Sequence, residues 1–199
     1  MDIIGILKSA VISGICIGVA GIGFLATRDI IGSVLFAFAL LSVVAYKLYL
    51  YTGTAGFIKT GELPLLLLVF AGNIAGCLLM SLLARLSPMT LQESAQNILE
   101  GRLAMGPLHG GLLSIACGFI MTTAVTFARK GNNFPLLFGV PLFITCGYPH
   151  CMADAFFYLC VPLDFWMANL GSILGFYVSI VLGNFIGCNF YRMVMGSNP

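Results

Sequence analysis

Charged side chains are scarce in this sequence. Nine Lys and Arg together with seven Asp and Glu make up 8% of its 199 residues, whereas a soluble domain carries about 25%. So few charges cannot coat a globule of this length in water. That excludes a soluble enzyme, a nucleic-acid binder and a disordered chain. The formal net charge of +2 is too small to argue for an acidic partner. Histidine and tryptophan are scarcer still, with two residues and one. Seven cysteines form no CxxC pair and no Cys/His metal spacing, so they read as small packing residues. No disulfide framework, metal or cofactor is expected. No cleavable signal is expected either, because the apolar residues 10–26 lead into further apolar segments without a convincing cleavage site.

Apolar residues fill the space that charge leaves. They make up 60% of the chain, and the mean hydropathy is +1.05, as expected of an integral membrane protein. Twenty-four residues are glycine, against roughly 7% in average proteins. Small residues let helix backbones approach closely in lipid, so a tight bundle is expected, not a single anchor.

A spanning helix needs about 20 apolar residues, and six candidate spans meet or approach that length. The first covers residues 9–26 and ends at Thr27, Arg28 and Asp29. The second begins at Ile30 and is interrupted over residues 47–56, where Lys47, tyrosines and two glycines precede a short apolar remnant ending at Lys59. The third covers residues 63–86. Residues 90–105 are the one polar stretch, with Leu91, Ala95, Ile98 and Leu99 at helical spacing, which predicts an amphipathic helix at the membrane interface. The fourth span covers residues 108–128. The fifth starts near Phe134 and is interrupted over residues 146–154, where Pro149 removes a backbone donor and disfavours helix at Tyr148. The last covers residues 165–193.

The second and fifth spans are thus broken at corresponding places in two halves of three spans each. Gly72-Asn-Ile-Ala-Gly-Cys77 recurs as Gly183-Asn-Phe-Ile-Gly-Cys188, in the last span of each half. The recurrence reads equally as a close-packing seam, with Asn73 and Asn184 as polar residues within it. With three spans per half, the second half enters the membrane from the opposite side. Broken helices at equivalent positions of inverted repeats point to a transport site. The expectation is one all-α domain over residues 1–199: repeat one at about 1–87, the connector at about 88–106 and repeat two at about 107–199. An inside N-terminus puts Lys8, Lys59, Arg129, Lys130 and Arg192 on the cytoplasmic side, opposite Arg28, Arg85 and Arg102, and this excess favours cytoplasmic termini.

His150 is the one histidine at apparent membrane depth. Unwound backbone there must be buried in protein or line a cavity, and an ionisable side chain beside it is a functional candidate. Imidazole titrates near neutrality and can exchange a proton with a passing weak acid. A neutral core histidine bonded to a carbonyl is the bland alternative. His109, at the start of the fourth span, reads as interfacial. Thr52 in the other break offers a hydroxyl to His150. Phe36, Leu40, Leu50, Tyr51 and Phe143 flank the breaks, placed to form constrictions. Lys47 and Asp154 are the charged residues nearest the breaks.

The fifth-span segment Gly147-Tyr-Pro-His-Cys-Met-Ala-Asp-Ala-Phe-Phe-Tyr158 resembles the Phe-Glu-His-Ser-Val-Ala-Asn motif of the formate/nitrite transporter family. Leu50-Tyr-Thr-Gly53 resembles that family's Leu-Phe-Thr-Gly loop. The paired Gly-Asn-x-x-Gly spans and the Cys117-Gly-Phe-Ile-Met-Thr-Thr-Ala-Val125 stretch also fit. The resemblance covers all six spans. It implies an aquaporin-like protomer in a homopentamer, each protomer with its own pore for small monovalent anions and no nucleic-acid partner. It also implies His150 as the central histidine and Thr52 as its loop partner. Phe36, Leu40 and Phe143 fall in hydrophobic slits, with Leu50, Tyr51 and Met121 lining the cytoplasmic one. Arg102 falls where a basic residue attracts anions. The chain departs from the pattern at Pro149, in place of glutamate, at Asp154, in place of asparagine, and at Gly118, where many members have asparagine.

A bare anion entering low dielectric costs on the order of 20 kcal/mol ideally and several after relaxation. Dry slits would therefore exclude formate, nitrite or hydrosulfide as ions. The expected mechanism draws the anion into a vestibule and protonates it, with His150 as donor or relay, or else stabilises it with a cationic His150. No catalytic residue is expected. The rivals are an intramembrane enzyme using His150 with Cys151, Cys146 or Asp154, and a structural membrane subunit. One histidine and one carboxylate make a poor metal set.

Overall fold

The computed structural model describes residues 2–59 and 61–196, and among them the chain forms nine helices and no strand. They are α1 (Ile3–Thr27), α2 (Ile30–Ala45), α3 (Tyr51–Ala55), α4 (Leu63–Ala84), α5 (Leu91–Met105), α6 (Pro107–Arg129), α7 (Phe134–Thr145), α8 (Cys151–Cys160) and α9 (Leu163–Met195). The outermost ends of the expected domain, residues 1 and 197–199, lie outside the described residues.

Local chemistry sets the ends. Asp2 caps α1 by accepting from the Gly5 N–H at 2.9 Å, so the first helix begins before residue 9 and carries Lys8 within it. Arg28 turns left-handed at φ 56° and closes α1 through its N–H to the Phe24 carbonyl. Asp29 then caps α2, accepting from the Gly32 N–H at 2.9 Å, which holds its carboxyl below the ordinary carboxylate range. Proline stands in the first turn of α4, α6 and α7, where its missing donor costs nothing.

Four helices, α1, α4, α6 and α9, are long and apolar enough to cross a membrane. The other apolar segments come as two broken pairs, α2 with α3 and α7 with α8. Helix resumes at Tyr51 and Cys151, so the unwound stretches are residues 46–50 and 146–150, shorter than the sequence suggested. The reason lies in the caps: residues 50 and 150 adopt extended backbone that starts a new helix immediately.

Close helix approach follows from glycine. A Cβ on Gly76 of α4 would strike the Val11 carbonyl of α1, and one on Gly187 of α9 would strike the Ile115 carbonyl of α6. The recurrent Gly-Asn-x-x-Gly-Cys segments therefore seat α4 on α1 and α9 on α6 at backbone distance. Polarity is inverted relative to a soluble protein. Thr52, Asn73, His150, Asp154 and Asn184 are buried, while Leu67, Leu79, Leu112, Phe138, Leu170 and Val178 face outward. Helix α5 differs from expectation. Its Leu91, Ala95 and Leu99 are buried in the main core beside α8, so its apolar face covers protein.

Candidate functional site

The two breaks are built alike. Lys47 (φ 53°) and Gly147 (φ 68°) both take the left-handed conformation that ends a helix. After α2, the Lys47 N–H donates to the Val44 carbonyl and the Leu48 N–H to that of Val43. After α7, Gly147 donates to Ile144 and Tyr148 to Phe143. In both cases the turn satisfies the last carbonyls and sends the chain off extended.

An asparagine then fixes each extended segment. Asn73 Oδ1 accepts from the Tyr51 N–H at 2.8 Å, while its Nδ2 donates to the carbonyls of Ala10 at 2.8 Å and Tyr49 at 2.9 Å. Asn184 Oδ1 accepts from the Cys151 N–H at 2.7 Å, and its Nδ2 donates to Ser114 at 2.8 Å and Pro149 at 3.1 Å. Both side chains are fully buried. Their amides thus satisfy backbone groups that a membrane interior would leave without water. The cysteines that close the two motifs cross over: Cys77 Sγ approaches the Met152 carbonyl, and Cys188 Sγ that of Thr52.

His150 and Thr52 meet between the breaks. Thr52 Oγ1 lies 3.0 Å from His150 Nε2, and both residues are wholly buried. His150 is also the N-cap of α8, its Nδ1 accepting from the Ala153 N–H at 3.1 Å. A nitrogen that accepts carries no proton, so the neutral ring holds its proton on Nε2 and donates toward Thr52. It is the Ala153 amide that sets this tautomer, with Thr52 receiving the consequence. A second proton on Nδ1 would oppose that amide. The Phe143 ring stacks on the imidazole, centroids 5.2 Å apart and planes 24° apart.

Beside His150 opens a cavity of about 360 Å³, walled by α5, by residues 146–148 and by Asp154 and Phe157 of α8. Arg102 of α5 reaches into it, its Nε donating to Asp154 Oδ1 at 2.9 Å and its Nη1 to the Gly147 carbonyl at 2.5 Å. Asp154 Oδ2 accepts from the backbone N–H of His150 at 2.8 Å. The carboxylate thus holds the histidine's backbone, not its ring. Arg28 lines the same cavity, as do Asn97 and Cys146, and it donates to the Ser94 carbonyl.

The sequence-derived apolar candidates gather in one buried cluster: Phe36, Leu40, Leu50, Tyr51, Met121 and Phe143 all belong to it. Tyr51 donates its hydroxyl to the Val181 carbonyl at 3.5 Å. Lys47 and His109 are exposed and stand apart from the site. Three residues were missed: Arg28, whose place at a helix end gave no sign of the cavity, and two phenylalanines. Phe24 and Phe157 line the cavity, with rings 5.7 Å apart, and Phe36 packs edge-on against both. Phe157 follows His150 and Asp154 at positions i+7 and i+3 on one face of α8, a helical spacing that would have found it. Phe24 had no comparable signal. Among the described residues, no group of three or more His, Cys, Asp or Glu is placed to hold a metal ion.

A family model described as formate/nitrite transporter matches residues 1–196. The chain belongs to the formate/nitrite transporter family. It is similar to the formate channel FocB of Escherichia coli (strain K12), with 25% identity over 149 residues, 66% of this chain and 52% of that protein. The chain thus aligns with about half the length of that curated relative. Two solved structures share the fold. One, described as a pentameric formate channel with formate bound, has a TM-score of 0.83 at 19% identity, over 98% of this chain and 96% of the other. The second, described as an FNT family ion channel, has a TM-score of 0.74 at 18% identity, over 98% and 90%. This member of a transporter family is an integral membrane protein.

Proposed function

We propose that the protein is a channel for small monovalent anions of weak acids, the formate, nitrite and hydrosulfide class, carried across as the anion or its conjugate acid with protons. The observation that carries this reading is the Thr52–His150 pair. Side chains from the starts of two half-helices, just past the two breaks, meet at 3.0 Å, wholly buried, and His150 lines an open cavity. A channel is also what the related proteins are described as being. The single domain comprises six spans in two inverted three-helix repeats, with α2–α3 and α7–α8 as broken spans and α5 joining the halves. The matching hydrogen bonds of Asn73 and Asn184 support that symmetry. The assembly is a homopentamer in the plasma membrane, both termini cytoplasmic. Resemblance to a pentameric fold and the placing of Arg and Lys support this arrangement.

In this reading, Arg28 draws the anion into the cavity, and Arg102, paired with Asp154, meets it there with its remaining N–H donors. The buried Phe36, Leu40 and Phe143 on one side and Leu50, Tyr51 and Met121 on the other form two dry constrictions that a bare anion crosses only at high cost. Between them His150 presents its Nε2–H, shared with Thr52, to the permeating species. Proton transfer at this point, with His150 as donor or relay, turns the anion into a neutral acid that crosses the slit. The resting geometry adds a condition. A cationic ring needs a proton on Nδ1, so charging His150 breaks the Ala153 cap of α8. Proton relay is thereby coupled to a rearrangement of the break.

Formate, nitrite and hydrosulfide entry into proteoliposomes, measured across pH, tests the proposal. Rapid entry that steepens as external pH falls is expected. Absence of flux for the whole panel would contradict it.

A further inference from the structure

A cation meant to attract anions is here already paired with an anion. Arg102 spends two of its three nitrogens on this chain, Nε on Asp154 and Nη1 on the Gly147 carbonyl. Both oxygens of Asp154 are engaged as well, one by Arg102 and one by the His150 N–H. The carboxylate is 1% exposed and the guanidinium side chain 14%, so solvent screens the pair weakly. Both residues line the cavity, as does Arg28.

We propose that Asp154 sets the charge selectivity of this cavity by cancelling Arg102 and fastening it to the break that carries His150. An entering anion meets the net charge of Arg28 together with Nη2 of Arg102, which has no hydrogen bond among the described residues. Guanidinium binds a carboxylate or phosphate best through two parallel N–H groups. With its charge offset by Asp154, Arg102 offers an anion its three remaining N–H donors, one on Nη1 and two on Nη2, without the attraction of an unpaired guanidinium. Anions are held loosely and released quickly, while neutral acids are unaffected by the pair. Asp154 is in this sense a specificity-determining residue. It acts on substrate through Arg102.

The physiological sense of this inference rests on the channel reading, but the cavity's potential does not, and Cys146 reports it. Cys146 is an exposed thiol on the cavity wall. The full-length protein in liposomes is treated with an anionic and a cationic methanethiosulfonate reagent, and the ratio of the two rates is taken. That ratio cancels any change in thiol ionisation, which both reactions share. A Cys146→Ser control assigns the reaction to this site. Asp154→Asn is expected to raise the anionic-to-cationic ratio about fivefold or more, Arg102→Gln to lower it comparably, and the double variant to return it near the starting value. Formate entry through Asp154→Asn should half-saturate at several-fold lower concentration. An unchanged ratio in Asp154→Asn, or a double variant that stays as displaced as either single one, overturns the inference. Should Asp154→Asn fail to assemble, Arg102→Gln against the double variant makes the same comparison. Absence of formate entry in the unaltered protein would instead count against the channel reading, with the ratios still deciding the charge.

Discussion

Asn73 and Asn184 hold the two helix breaks by the same three hydrogen bonds. Each accepts from the first amide of a half-helix and donates to one carbonyl of the extended segment before it and one of a neighbouring long helix. Either residue replaced by alanine leaves two backbone groups of the break, an N–H and a carbonyl, without that partner, while the Ala10 and Ser114 carbonyls lie inside helices that already bond them. Unpaired buried groups cost about 1–3 kcal/mol each. Asn73→Ala and Asn184→Ala are each expected to lose about 2–4 kcal/mol of stability, read as a lower thermal unfolding midpoint in detergent. Aspartate should be worse, since it turns the carboxamide's two donors toward carbonyls into an acceptor. A midpoint unmoved by the alanine variants would show that the breaks hold without their asparagines.

Glycine substitutions should divide by position. Gly187→Ala places a methyl against the Ile115 carbonyl of α6, whereas Gly171→Ala, on the same helix, meets open space. The first is expected to lower the unfolding midpoint clearly and the second to leave the protomer unchanged or slightly firmer, as alanine is the better helix former. Equal effects would contradict backbone-distance packing of α6 on α9.

Much of this architecture was legible in the sequence because its signals are local. Thr27, Arg28 and Asp29 end one apolar run and begin the next, and Pro149 forbids regular helix where α7 stops. The repeated Gly-Asn-x-x-Gly-Cys segments showed which helices correspond. They did not show what the asparagines bind, since those partners lie on three different elements. Thr52 and His150 were readable as neighbours only because each stood at an interruption. The Arg102–Asp154 pair was not readable: α5 looked like a helix lying on the membrane, and only its packing beside α8 brings the guanidinium to the break. Lys47 misled for the opposite reason. It shares its turn geometry with Gly147 but points its charge outward. Phe24 was hidden in a run where every neighbour was also apolar.

Thiol chemistry at Cys146 should report access. A bulky anionic methanethiosulfonate reagent is expected to slow formate entry when applied on the cavity side and to do nothing from the opposite side, and Cys146→Ser should abolish the effect. In the proposed orientation the sensitive side is non-cytoplasmic. Block from the opposite side alone would reverse that orientation.

The constrictions make a size prediction. Phe143→Ala removes a ring that stacks on His150 and fills the buried cluster, so acetate and lactate should enter measurably faster relative to formate. Cavity formation at this site should also cost about 3–5 kcal/mol. Thermal stability must therefore be followed alongside flux. A stable Phe143→Ala protein with unaltered size selectivity would remove Phe143 from the constriction.

If His150 passes the proton, formate entry into liposomes across pH must differ between the unaltered protein and His150→Phe. The aromatic substitution keeps volume in the core but removes both ring nitrogens. Entry through the unaltered protein should rise as external pH falls, and the variant, assembled to the same oligomeric size, should lose about a hundredfold or more of that rate together with its pH dependence, the size of effect expected of a positioned proton donor. A variant that moves formate at the normal rate with the normal pH profile would contradict it.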